Sequence, residues 1–203
     1  MKTLKVKITF DEEILGTASA NAEIHEQFIA SKAPNAKSLE EEVAAVGVEE
    51  VVDKSMTVFP RNEEGKPILY DYQIRGFFKD SAGFIKKIGS NEYKTTKLTA
   101  HKKAVDGLIF VKPRMIELVM PEGSEITHCQ RPLRAATPQG ERIALANSEA
   151  VPAGTTCEFE IICLKDEHTD MVKEWLDYGE YHGIGQWRNS GKGKFHWELI
   201  EES

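Results

Sequence analysis

The stretch Gly183-Ile184-Gly185-Gln186-Trp187-Arg188-Asn189-Ser190-Gly191-Lys192-Gly193-Lys194-Phe195 holds four glycines and three cations in thirteen residues. Glycine permits positive φ and lets another molecule approach the main chain closely. Successive free N–H groups in such a loop form an anion-binding concavity. Arg188, Lys192 and Lys194 add cationic side chains, and the combination suits a phosphodiester backbone. The plainer alternative is a glycine-rich turn with Trp187 in the core.

Other residues extend that chemistry. Phosphate contacts use arginine, lysine and backbone N–H groups. Arg75, Lys79, Lys86 and Lys87 are expected to line one edge, and Arg131, Arg134 and Arg142 a loop. Gly183, Gly185, Gly191 and Gly193 would bring backbone N–H groups to the ligand. A histidine titrates near neutrality and can act as general acid or base. His182 adjoins the glycine loop and His101 lies among lysines, so these are the weak catalytic candidates; as a helix-terminal cation, His182 has a simpler reading. Asp166, Glu167 and Asp170 fall at a helix start, where acids complement the helix dipole. There is no HExxH spacing, Walker loop, G-x-S-x-G elbow or kinase set. No metal and no cofactor are expected.

These groups need a scaffold. The 203 residues are 40% hydrophobic and 29% charged, as in an ordinary globular protein. No apolar run is long enough to span a bilayer, so no membrane partner is expected. The N-terminus enters a strand-like alternation at once, without a secretory apolar region. Cys129, Cys157 and Cys163 are odd in number and lack CxxC spacing, which points to reduced thiols and a cytoplasmic location. The net charge of −7 argues against a general nucleic-acid binder. It hides a segregation, however. Residues 11–64 carry 13 acidic and 4 basic side chains, residues 75–114 carry 3 and 10, and residues 158–180 carry 8 and 2. One surface facing anions and one acidic surface, suited to a basic protein groove, are expected.

Leu4, Val6, Ile8 and Phe10 alternate with polar residues, which predicts a strand with one buried face. Ala22 to Ala33 reads as a short helix broken at Pro34. Ser38 and Glu41 form a capping box for a helix ended by Gly47, and another short element begins at Val48. Pro60 to Pro67 reads as a hairpin turn, and Ile68 to Ile74 as a strand that puts Tyr70 and Tyr72 on one face. A helix is expected from Gly76, and strands over Ala104–Val111 and Arg114–Val119. Residues 121–155 carry prolines, glycines and arginines in a long irregular stretch, a pattern that is usually functional or disordered. Thr156 to Leu164 reads as a strand, residues 168–181 as an amphipathic helix, and Phe195 to Leu199 as a final strand. The expectation is a single elaborated α+β domain over 1–203, with an irregular insertion at about 121–155.

The C-terminal order of strand, helix, glycine loop and strand resembles the RAMP superfamily, the RRM-like (ferredoxin-like) proteins of CRISPR ribonucleoproteins. Gly183 to Phe195 is similar to that family's glycine-rich loop. Val151-Pro152-Ala153-Gly154-Thr155-Thr156-Cys157-Glu158-Phe159-Glu160-Ile161 is similar to the turn and strand entering its C-terminal half. Ile74-Arg75-Gly76-Phe77-Phe78-Lys79-Asp80 resembles the helix start of its guide-RNA-gripping backbone subunits. Together they cover about a third of the chain. The length and the acidic N-terminal third depart from a typical backbone subunit and are similar to a small prophage-encoded relative. The resemblance implies an RRM-like antiparallel sheet with helices on one face. It also implies bases stacked on aromatics, for which Tyr70, Tyr72, Phe77 and Trp187 are candidates.

The expected function is non-enzymatic binding of single-stranded nucleic acid, RNA ahead of DNA. Two alternatives stand beside it. One is an anti-CRISPR or subunit-mimicking module that docks on CRISPR effector subunits. The other is a metal-independent endoribonuclease using His182 or His101, since some RAMP proteins cleave RNA with a histidine. Homo-oligomers along a strand are a further implication of the resemblance, with 121–155 as the arm reaching a neighbour.

Overall fold

The computed structural model describes residues 1–20, 56–137 and 140–203, with only the backbone described between 133 and 145. The elements expected at Ala22–Ala33, 38–47 and Val48–Lys54 lie outside the described residues. In chain order the elements are β1 (Lys2–Phe10), β2 (Ile14–Leu15), β3 (Ala18–Ser19), β4 (Thr57–Val58), β5 (Ile68–Tyr70), α1 (Asp71–Ile88), a 3₁₀ turn (Lys94–Lys97) and α2 (His101–Leu108). They continue with β6 (Ile109–Lys112), β7 (Met115–Glu117), β8 (Thr127–Thr137), β9 (Gly140–Val151), β10 (Thr156–Cys163), α3 (Glu167–Asp177), α4 (Gly179–His182), a 3₁₀ turn (Arg188–Ser190) and β11 (Phe195–Glu202).

The alternation in β1 puts Leu4, Val6, Ile8 and Phe10 wholly out of solvent. β1 is central, pairing antiparallel with β10 on one side and β11 on the other. β6 joins the far edge of β10, giving the order β11-β1-β10-β6. With α1 between β1 and β6, and α3 between β10 and β11, this is the βαββαβ ferredoxin-like arrangement. Both helices pack on the same sheet face. Ile74, Phe77, Phe78, Ala82 and Ile85 of α1 and Met171, Val172, Trp175 and Leu176 of α3 share one core with the inward residues of β1 and β10. The outer face is a charge ladder. Lys5 lies opposite Glu160 and Lys7 opposite Glu158 across β1–β10. Lys7 also faces Glu198 across β1–β11, and Lys112 faces Glu160 across β10–β6.

A second sheet runs β2-β9-β4-β3, with β8 on the other side of β9. The stretch expected to be irregular is therefore largely a long hairpin, paired from Thr127↔Ala150 to Thr137↔Gly140. Of its punctuating residues, Pro152 and Gly154 fall in the turn before β10. Pro132 is tolerated because β8 is an outer strand, where a missing N–H breaks no ladder.

Two expectations are corrected. The strand read over Ile68–Ile74 stops at Tyr70, where α1 begins. The Tyr70 N–H donates to Gln73 Oε1 at 2.7 Å, closing the helix start. Burial at Ile74, Phe77, Phe78, Ser81, Ala82 and Ile85 follows helical spacing and outweighs the short alternation that precedes it. Likewise 101–108 is helical, and β6 and β7 pair with β10 and β5, not with each other.

Candidate nucleic-acid interface

The glycine loop closes on itself. The Ile184 N–H donates to Gly193 O at 2.9 Å, and the Gly193 N–H donates to Glu13 O at 2.9 Å. At Gly193, φ is 72°, and a Cβ would overlap the Ile184 carbonyl. At Gly183, φ is also 72°, and a Cβ would sit 2.7 Å from Lys192 O. Close packing of two backbone strands therefore dictates both glycines. In the middle of the loop, the N–H groups of Ser190 and Gly191 bond to Trp187 O and Arg188 O. Gly185 and Gly191 take positive φ as well.

The loop cations have partners that sequence reasoning did not supply. Arg188 Nη1 donates to Asp80 Oδ2 at 3.0 Å and to His182 Nε2 at 2.8 Å. Lys192 pairs with Glu13 at 2.6 Å, and the hydrogen bond to that carboxylate raises its pKa. Lys194 has no carboxylate partner among the described residues. Asp80 lies 108 positions from Arg188, so no local pattern announces the pair.

Arg131 is only 7% exposed. Its guanidinium lies over the Trp187 ring at 5.2 Å and donates to Gln186 Oε1 at 2.7 Å and Ser148 Oγ at 3.4 Å. Gln186 Nε2 in turn donates to Gly16 O at 3.0 Å. Trp187 takes φ 56°, a left-handed conformation unusual for a bulky residue. Arg131 thus ties the root of the hairpin to the loop and is positioned to hold structure, not to meet solvent. Arg134 and Arg142 lie farther along the hairpin, opposite Ile143 and Ala135.

Between this loop, β3 and the first half of α1 lies a cleft of about 470 Å³, with mostly apolar walls. Tyr72, Gln73, Phe77, Asp80, Gly185 and Arg188 are among its lining residues. Tyr70 and Tyr72 stack there at 5.3 Å with 16° between their planes. The two rings thus belong to a strand end and a helix start, not to one face of a strand. Tyr70 is wholly buried, which corrects its reading as a base-stacking platform, and Phe77 is 3% exposed. Trp187 keeps 40% exposure. None of these four aromatics belongs to the four-stranded sheet.

The remaining basic candidates of α1 diverge. Arg75 pairs with Asp71 at 3.6 Å and Lys79 with Asp106 of α2. Lys86 donates to Leu98 O at 2.6 Å and Thr99 O at 3.0 Å. Lys87 lies over the Phe84 ring at 5.0 Å. The structure thus gathers Arg188, Gly185, Tyr70 and Tyr72 at one cleft, leaves Arg134 and Arg142 on the hairpin and spreads Arg75, Lys79, Lys86 and Lys87 along α1.

Of the two histidines, His182 stacks on Tyr178 and meets the Phe84 ring at a tilt of 54°. Burial, then the Arg188 charge, holds its pKa below the ordinary value. With Nε2 accepting from Arg188, the ring proton sits on Nδ1. The pKa of His101 is lowered by burial, then by Lys86 and Lys102. Among the described residues no group of His, Cys, Asp and Glu is arranged to hold a metal ion. No described helix is long and apolar enough to cross a membrane.

No protein-family model matches the chain, and no curated protein matches it in sequence. Solved structures do match in fold. One is a chain of a Type III-B Cmr-beta complex bound to cognate target RNA, with a TM-score of 0.50 and 10% identity over 100% of this chain. This chain spans 60% of that one's length. Another is a chain of a Type IV-B CRISPR complex, with a TM-score of 0.50 and 10% identity, covering 98% of this chain and 90% of the other. The fold is thus one found in chains of CRISPR effector complexes.

Proposed function

We propose that this chain is a RAMP-like, non-enzymatic binder of single-stranded nucleic acid, RNA ahead of DNA, with a role related to CRISPR effector complexes. The observation that carries the reading is the cleft. Apolar walls and the half-buried Arg188 guanidinium lie beside a loop that holds two chain segments at close approach. A base would enter against Tyr72, and a phosphate would meet Arg188 at the mouth. The phosphate must compete with Asp80 for that guanidinium, so binding is expected to be salt-dependent and tolerant of sequence. The fold likeness supports the reading, because one of the matched complexes carries RNA.

The test begins with the 260/280 absorbance ratio of protein purified at low salt, followed by nuclease typing and sizing. Co-purifying RNA of regular length supports a backbone-like binder and an oligomer with a repeating footprint. Protein free of nucleic acid that also fails to shift labelled single strands defeats the reading. The triple variant Arg188→Ala, Lys192→Ala, Lys194→Ala is expected to weaken binding to all sequences and to flatten the salt dependence.

A second reading is docking on, or imitation of, an effector subunit. It is favoured by the neutralised loop cations Arg188 and Lys192 and by the Lys/Glu ladder on the outer sheet face, where an RRM would carry aromatics. Coprecipitation with an effector complex that survives nuclease treatment would select it.

A further inference from the structure

A second cleft lies on the helical side of the fold, between the Lys94–Lys97 turn, α2 and the start of α3. Its lining includes Lys94, Lys97, Lys103 and Lys165, against the acids Glu167 and Asp170. Lys94 pairs with Asp170, and Lys165 with Glu167 at 3.5 Å. Lys97 and Lys103 have no carboxylate partner among the described residues, and both are exposed. The first turn of α2 contains no acid, and its N-cap, Ala100, supplies no side-chain bond. The N–H groups at that helix start thus lack the usual cap and sit beside lysines, where acids are ordinarily favoured. His168, 2% exposed, forms part of the lining, and its Nδ1 has no hydrogen-bond partner among the described residues.

The wall is held in shape from behind. Glu174 accepts from the Lys94 N–H at 2.6 Å, the Thr95 N–H at 3.0 Å and Thr95 Oγ1 at 2.6 Å. Trp175 Nε1 donates to Thr95 Oγ1 at 2.9 Å. Lys86 donates to the Leu98 and Thr99 carbonyls, so two acceptors of that bend are already engaged. A braced wall where Lys97 and Lys103 have no carboxylate partner among the described residues, beside a helix start without a side-chain cap, is suited to a phosphate group.

We propose that this cleft is a second phosphate-binding site, which takes the backbone of the same strand that occupies the glycine-loop cleft. The proposal rests on the nucleic-acid reading above. Lys97 and Lys103 make the phosphate contacts, and the first turn of α2 supplies backbone N–H groups.

The test is fluorescence anisotropy of a labelled 30-nucleotide single strand against the full chain over a salt series. Lys97→Glu/Lys103→Glu is compared with the parent and with Arg188→Ala. The double variant is expected to lose at least tenfold in affinity at low salt. Its slope of log affinity against log salt should fall by about 1.4, at about 0.7 per lost phosphate contact. An unchanged slope in the double variant, with Arg188→Ala weakened, overturns the second site and leaves the nucleic-acid reading intact. If the parent binds no strand, that reading fails, and the second site in a shared strand path falls with it. Backbone amide shifts on titration with inorganic pyrophosphate then show whether the cleft takes free phosphate. Shifts confined to 97–103 keep it as a small-anion site, and their absence removes it altogether.

Discussion

The two clefts treat positive charge in opposite ways. At the glycine loop, Arg188 and Lys192 are tied to Asp80 and Glu13, and Arg131 is buried under Trp187. At the helical cleft, Lys97 and Lys103 stand without carboxylate partners among the described residues. The number of cations does not separate the clefts; among the described residues, Lys97 and Lys103 stay without a carboxylate at the helical cleft, against Lys194 alone at the loop. The loop is built for shape, since its glycines allow two backbone segments to touch and its charges fasten it to β1's exit and to α1. The helical cleft is built for field. A mutation at the loop should therefore be felt first in stability, and one at the helical lysines first in binding.

Gly193→Ala is the strongest test of that division. The new Cβ must displace the Ile184 carbonyl at a positive φ. A loss of about 3 kcal/mol or more is expected in urea denaturation. A variant as stable as the parent would show that the loop is not a structural clasp. Arg131→Met comes next. It keeps the bulk but drops the bonds to Gln186 and Ser148 and the contact with Trp187, for about 2 kcal/mol. Increased tryptophan quenching should accompany the loss, and unaltered fluorescence and stability would detach the hairpin root from the loop.

The pH dependence is a smaller effect. Burial first, then nearby cations in part, lowers the pKa of His182, His101 and His168 from 6.5 in the folded chain. The unfolded chain then binds protons that the folded chain does not. Stability is complete above about pH 6.5 and declines as the pH falls toward the folded values. The melting temperature should drop between pH 7 and 5.5, and His182→Gln should reduce that drop. Paired carboxylates act in a separate, lower window. Glu202, held at about 2 by bonds from Lys173 and Lys2, loses its contribution only in stronger acid. The smallest change is expected for Lys97→Ala/Lys103→Ala, which should alter stability by less than about 0.5 kcal/mol. A larger loss would mean that these lysines, too, are structural.

Much of the ferredoxin-like frame could be read from the chain. β1 and β10 carry alternation of buried and outward residues, and α3 carries helical spacing around Trp175, because one buried face imposes a period. Legibility failed where two periods overlap, as at Tyr70–Ile74, and where short apolar runs fit either state, as at Ala104–Val111. The hairpin was hidden because its prolines and glycines resemble disorder until their placement at the turns is known. The site was legible in residue type but not in pairing. Arg188 was recognised as a cation, but Asp80 beside it depends on how α1 packs against the loop. The lysines of the helical cleft appeared only as part of a basic stretch. What distinguishes Lys97 and Lys103 from Lys79 or Lys86 is whether a described residue accepts from the ammonium group, which no linear pattern encodes.

The alternating lysines and glutamates on the outer sheet face also bear on how a partner arrives. Charges of opposite sign a few ångströms apart cancel at a distance, and their residual field fades within a Debye length, about 8 Å at physiological salt. An approaching polyanion is neither drawn to that face nor driven from it until contact. Encounter on that side is set by diffusion and shape, so a faster, salt-sensitive capture rate must come from the opposite side of the sheet.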